Sequence, residues 1–192
     1  MNFDLSVIPN KNIILGVTGG LAAYKSAILV RRLKDAGFNV RVVMTEGAQA
    51  FITPLTFQAL SGNPVHTQLL DPEAEAGMGH IELARWADLL LVAPASCDTL
   101  AKFAAGLADD LLSTLYLATK APVWVAPAMN QQMWAAKATQ RNLNTLVEDG
   151  VHVILPDAGV QACGDVGLGR MPEPEDLALQ VTGYFHRAQR AI

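Results

Sequence analysis

A chain of 192 residues is short enough to be one domain and long enough to bury a core without disulfide staples. A net charge of −4 with no run of Lys or Arg excludes a basic nucleic-acid surface, while only 17% charged residues point to surface covered by other subunits. The two cysteines, Cys97 and Cys163, are far apart, and no Cys-x-x-Cys or His-x-x-x-His spacing marks a metal site. Residues 1–11, with Asp4 and Pro9, lack the apolar run of a signal peptide, and the apolar run over residues 87–95 is too short to span a bilayer. A soluble, cytoplasmic protein is expected.

Strand and helix patterns alternate along the chain. Residues 12–17 read as a buried strand ending in a turn at Thr18, Gly19 and Gly20. Residues 21–36 have helical spacing, with Ile28, Leu29 and Leu33 on one face and Gly37 closing. Residues 40–44 form the second strand, and residues 55–60 a helix stopped by Ser61 and Gly62. Residues 87–93 are a strongly buried strand, ended by Pro94. Helices over 99–105 and 111–118 lead to a strand over 123–126. A single helix over 130–148 precedes the last strand, 151–155. Residues 156–173 are rich in Gly and Pro without a period, and residues 174–190 are a final helix. Strands separated by such helices imply parallel pairing, and continuous Val/Ile/Leu runs imply that both sheet faces are covered. The expected fold is α/β, a three-layer doubly wound parallel sheet, with its ligand at the carboxyl ends of the strands.

The residues following the strands are therefore candidates for binding. They are Thr18, Gly19 and Gly20; Thr45; Pro94, Ala95, Ser96, Cys97 and Asp98; and Pro127, Ala128, Met129 and Asn130. Glycines, hydroxyls and small side chains suit a phosphate and a flat ring, because backbone N–H groups can be approached closely. The first turn, Gly16-Val17-Thr18-Gly19-Gly20, is not a dinucleotide fingerprint, and Thr45 stands where a ribose-binding acid would end the second strand. Lys25 and Ser26 follow Gly19 at P-loop distance, but Tyr24 occupies the position that requires Gly. A mononucleotide phosphate is favoured over NAD or ATP. Each feature has a plainer alternative. The Gly pair can be a helix start, His80 a surface or core residue, and Asn130 an N-cap. His66, His152 and His186 are read as structural. Residues 162–171 hold a single Cys and a single Arg among many glycines, either as a lid or as a connector.

Taken together, the motifs carry a resemblance. They are Gly16 to Lys25, Met44-Thr45, Gly79-His80-Ile81-Glu82-Leu83, Trp86-Ala87-Asp88 and Ala93-Pro94-Ala95-Ser96. They continue with Ala108-Asp109-Asp110-Leu111-Leu112, Pro127-Ala128-Met129-Asn130-Gln131-Gln132-Met133-Trp134, Ala162-Cys163-Gly164-Asp165 and Gly169-Arg170-Met171. In this order they resemble the homo-oligomeric flavin-containing cysteine decarboxylases, over residues 12–177, and in particular the coenzyme A branch of that family. The resemblance implies a Rossmann-like flavoprotein domain over residues 12–190, preceded by an extension over 1–11. It implies FMN, held by Thr18, Gly19, Gly20, Thr45, Pro94, Ala95 and Ser96. The implied reaction is decarboxylation of 4'-phosphopantothenoylcysteine to 4'-phosphopantetheine, with thiol oxidation by FMN first and return of the electrons to an enethiol last. His80 would be the base or thiolate stabiliser, Asn130 would hold the carboxylate, and Cys163 would give the final proton. Ala128, Met129, Met133 and Gly164 would line the substrate site.

The resemblance also implies a trimer or dodecamer, and in most bacteria a fused CTP-dependent phosphopantothenate–cysteine ligase. No nucleic acid, membrane or metal is expected as partner. One departure is visible. Cys97 and Asp98 replace the family's usual Ala and Asn, and Asp98 is expected to cap the helix from Thr99. The alternatives are a flavin prenyltransferase on the same fold and a non-enzymatic regulatory flavoprotein.

Overall fold

The computed structural model describes residues 10–69 and 79–190, so most of the expected N-terminal extension lies outside the described residues. In chain order the described elements are β1 (Asn12–Val17), α1 (Ala23–Asp35), β2 (Asn39–Met44), α2 (Glu46–Gln49), α3 (Pro54–Ser61) and β3 (Val65–His66). Then come α4 (His80–Trp86), β4 (Leu89–Ala95), α5 (Cys97–Ala105), α6 (Leu111–Ala118) and β5 (Val123–Pro127). The chain closes with α7 (Gln131–Ala135), α8 (Lys137–Glu148), β6 (His152–Val153), β7 (Asp157–Val160), β8 (Val166–Arg170) and α9 (Pro174–Arg190).

Six parallel strands form one sheet in the order β3-β2-β1-β4-β5-β6. The chain runs outward from β1, returns beside it as β4, and runs outward the other way, so the expected doubly wound sheet is found. Alternation along β1 explains its two faces. Ile13, Leu15 and Val17 pack with Leu29 and Leu33 of α1, Phe57 of α3 and Leu177 and Val181 of α9. Ile14 faces the opposite core, with Leu100 and Phe103 of α5, Leu112 and Leu115 of α6 and Leu143 and Leu146 of α8. All seven residues of β4 are buried. Full burial of one such side chain contributes about 1.5–3 kcal/mol, against about 1 kcal/mol at most from strand propensity. Packing on both faces therefore fixes the central strands.

Four local expectations are corrected. Pro94 does not end β4; the strand continues to Ala95, which pairs with Pro127 across a register shift, and the Ala93–Pro94 peptide is cis. The helix expected over 130–148 is two helices, because Ala136 adopts an extended backbone (φ −60°, ψ 133°) between α7 and α8. No helix breaker stands there, so its neighbours override a local preference for helix. The stretch without a period, 156–173, contains the antiparallel hairpin β7–β8. Its strands are short and glycine-rich, which hides an alternating pattern. The last sheet strand is also shorter than expected, reduced to His152–Val153.

A candidate active-site cavity at the strand ends

The cavity of about 600 Å³ that concerns function lies where β1 and β4 part company, at their carboxyl ends. This is the topological switch point at which open α/β sheets bind ligands. Gly19, Gly20 and the start of α1 line one side, Ser96 and Cys97 a second, and Ala128, Met129 and Asn130 a third. The β7–β8 hairpin closes over them with Gln161, Cys163 and Arg170.

The floor is built for close approach to backbone. A side chain at Gly19 would press within 3.0 Å of the Gly47 backbone in α2, whereas one at Gly20 would meet nothing within 4 Å and would project into open space. Helix α1 has no side-chain cap. Among the described residues, the N–H groups of Gly20, Leu21 and Ala22 enter no hydrogen bond. Open N–H groups at the start of a 13-residue helix favour an anion, through their direction and through the helix dipole. The arrangement fits a phosphate group followed by a flat ring over small residues.

Several predicted contributors shape this floor rather than face the cavity. Thr18 is fully buried; its hydroxyl donates to the Pro94 carbonyl (2.8 Å) and accepts from the Ser96 N–H (2.8 Å), tying β1 to β4. Thr45 accepts from the Ala48 N–H as the cap of α2. Ser96 caps α5, accepting from the Thr99 N–H at 3.2 Å, yet still lines the cavity. The expectation that Asp98 caps this helix is corrected, because the helix begins at Cys97 and Asp98 pairs with Lys102 one turn on (3.4 Å). Lys25 is not poised as a P-loop lysine. Its nearly buried ammonium donates to the Met171 carbonyl (2.9 Å) and to Glu173 (2.7 Å), fastening the exit of the hairpin to α1.

The wall opposite brings two predicted residues together. Asn130 caps α7 with its Oδ1, which accepts from the Gln132 N–H at 2.8 Å. Its Nδ2 donates to Cys163 Sγ (3.4 Å) and to Asp165 Oδ2 (3.3 Å). The N-cap reading and the binding reading of Asn130 are therefore compatible, since they use different atoms. Cys97 also lines the cavity, with Sγ 3.4 Å from the Thr139 hydroxyl. Met133 and Ala128 reach the same space, whereas Pro94, Ala95, Thr45 and Gly164 do not line it. His80 opens α4 and is half-buried, and it is not among the residues lining this cavity.

Gln161 was not singled out by the sequence, although it joins hairpin to wall. Its Oε1 accepts from the Gln131 N–H (3.0 Å), and its Nε2 donates to the Met129 and Leu168 carbonyls (3.3 and 3.1 Å). The Met129 N–H donates to the Gly169 carbonyl at 2.9 Å. At Gly169 the backbone has φ +135°, and a Cβ would collide with the Met129 carbonyl oxygen. Only glycine allows both that conformation and that approach. The glycines of 162–171 were the available signal; nothing in sequence marks a glutamine two places before Cys163.

Behind α5, Lys102 lies 3.0 Å from Asp109, 3.4 Å from Asp98 and 3.8 Å from Asp110. The hydrogen bond from Lys102 holds the Asp109 carboxyl below its ordinary range. The same bond raises Lys102 above the ordinary amine value, outweighing its partial desolvation.

Fold and cavity together define a nucleotide-binding α/β protein, and the chain belongs to the flavoprotein family, whose model matches residues 5–186. Over 178 residues it is 58% identical to the coenzyme A biosynthesis bifunctional protein CoaBC of Escherichia coli (strain K12), covering 93% of this chain and 44% of that protein. The chain thus spans less than half the length of this relative. Among solved structures it resembles a cysteine-to-serine mutant of PPC decarboxylase complexed with pantothenoylaminoethenethiol, with TM-score 0.81 and 34% identity over 92% of this chain and 99% of that one. It also resembles the FMN binding protein AtHal3, with TM-score 0.79 and 34% identity over 93% and 98% of the two chains.

Proposed function

We propose that the chain is an FMN-dependent phosphopantothenoylcysteine decarboxylase of coenzyme A biosynthesis, its domain spanning residues 12–190. The observation that carries this reading is the meeting of Asn130 and Cys163, at 3.4 Å, on one wall of a phosphate-accepting cavity. The similarity to PPC decarboxylase over nearly the whole chain supports it. Bound at the strand ends, FMN would supply the two-electron oxidation that turns a cysteine thiol into an electron sink beside its carboxylate.

The chain's own residues do the rest. Gly20, Leu21 and Ala22 offer N–H groups to a phosphate. Asn130 fixes the substrate carboxylate with a neutral donor, so no added positive charge opposes its loss as CO2. The Cys163 thiol protonates the enethiolate that remains, and Gln161 keeps its loop against the Asn130 segment. That a cysteine-to-serine mutant of the related enzyme holds an ethenethiol agrees with this assignment. His80 is assigned to thiol oxidation, as base or thiolate stabiliser. Because it is not among the residues lining the cavity of its own chain, we place it in the cavity of a second copy.

A homo-oligomer follows from that assignment, and the family resemblance makes it a trimer or a multiple of three. Exposed Leu21, just before α1, together with exposed Tyr24 and Ile28 on α1 and Phe51 and Leu55 further along the chain, supplies apolar surface for it. A cytoplasmic site of action is part of this proposal; among the described residues no helix is long and apolar enough to cross a membrane. A CTP-dependent phosphopantothenate–cysteine ligase would make the substrate.

FMN-reconstituted protein should release CO2 and phosphopantetheine from phosphopantothenoylcysteine, and His80→Asn should retain FMN yet release no CO2. FMN binding without CO2 release would leave a prenyltransferase or a regulator. No FMN binding would end the reading.

A further inference from the structure

We propose that Asp165 is a place-holding carboxylate, occupying on Asn130 the position that the substrate carboxylate takes, and thereby a specificity-determining residue of the cavity. This rests on the reading of Asn130 given above. The amide of Asn130 is fixed from behind, because its Oδ1 accepts from the Gln132 N–H. Its two N–H bonds therefore face the hairpin, and both are engaged there, one by the Cys163 sulfur and one by the Asp165 carboxylate. A substrate carboxylate needs the same donors. Of the two occupants the charged one binds more strongly, since a carboxylate is a better acceptor than a neutral sulfur. Among the described residues Asp165 enters no ion pair, so Asn130 is its one recorded side-chain partner.

The backbone around Asp165 is fixed, and the side chain is exposed. Its carbonyl accepts from the Gln161 N–H at 2.7 Å, Gly164 turns the chain with φ +90°, and Val160 pairs with Val166 across the hairpin. Exchange thus needs rotation of one side chain, with no opening of the hairpin. An entering carboxylate takes the amide, and Asp165 swings into water, where its charge is solvated. Both groups carry one negative charge, so the amide keeps a charged acceptor throughout. When the substrate charge departs as CO2, Asp165 returns and disfavours rebinding of another acid. A ligand without a carboxylate leaves the Asp165–Asn130 contact untouched. Asp165 therefore weakens binding only for ligands that compete for Asn130.

The test is calorimetric titration of FMN-loaded protein with two unreactive probes: phosphopantothenoylserine, with a hydroxyl in place of the thiol, and the phosphopantothenoyl amide of ethanolamine, which lacks the carboxylate. Asp165→Ala is expected to bind the serine probe about 2- to 150-fold more tightly, the range for directly coupled groups, and the ethanolamine probe unchanged. Asp165→Asn, equal in size and uncharged, should show the same selective gain. Combined with Asn130→Ala, the gain should vanish. Unchanged or weaker binding of the serine probe in both Asp165 variants would overturn the proposal. So would an equal gain in the Asn130→Ala background, which would mark a long-range charge effect. If Asn130→Ala alone binds the serine probe as the wild type does, the assignment of Asn130 falls first, and this proposal with it.

Discussion

Replacing Asn130 by alanine removes the donor assigned to the substrate carboxylate. A hydrogen bond to a charged group is worth about 1.5–3 kcal/mol, so KM for phosphopantothenoylcysteine should rise about 10- to 150-fold in steady-state assays. The same change removes the cap of α7, a five-residue helix, so a modest fall in thermal midpoint should accompany it. Gly169→Ala should act through geometry instead. A Cβ there would collide with the Met129 carbonyl, so hairpin and wall must separate. FMN content should persist, while turnover falls and proteolytic nicking of residues 157–170 rises. Asn130 and Cys163 were legible in sequence because polar or reactive side chains stood out after a strand and within a glycine-dense loop. Their partner Gln161 was not, since its role depends on a hairpin folding back over 30 residues of chain. Thr18 was read as a ligand-facing hydroxyl, but burial turned it into a tie between strands.

At the level of elements, the Lys102 cluster joins α5 to the start of α6, where Asp110 forms a capping box with Ser113. Because the Asp109 carboxyl is held below its ordinary value of 3.8, its contribution to stability is present above that value and is lost as pH falls through the depressed one. The raised Lys102 contributes below its ordinary 10.5, and that contribution is lost as pH rises through the raised value. Thermal midpoints of wild type and Lys102→Met should therefore differ by a constant amount through the neutral range and converge below pH 4. Convergence already at pH 6 would contradict the assignment. The central strands were legible because both faces are apolar. The break at Ala136 was not, since no Pro or Gly marks it, and the hairpin was not, since its short glycine-rich strands show no alternating pattern.

For the whole molecule, the proposed homo-oligomer is supported by the exposed apolar side chains of α1 and by the absence of His80 from the lining of its own cavity. Sedimentation should give a trimer or a multiple of three, and Tyr24→Glu or Leu55→Glu should shift it toward monomer with loss of turnover. A fully active, FMN-loaded monomer would rule out the shared site. The doubly wound sheet was readable from alternation of strand and helix, whereas the trimer or dodecamer rests on the family resemblance and the low share of charged residues. The claim on which function rests is that Asn130 and Cys163 bound one decarboxylation site, with Cys163 as the final proton donor. Mass spectrometry of the product formed by FMN-loaded Cys163→Ser tests it most directly. A serine hydroxyl is a far weaker acid than a thiol, so the variant should release about one CO2 per site and yield an enethiol two hydrogens lighter than phosphopantetheine. Phosphopantetheine formed at the wild-type rate would contradict the assignment.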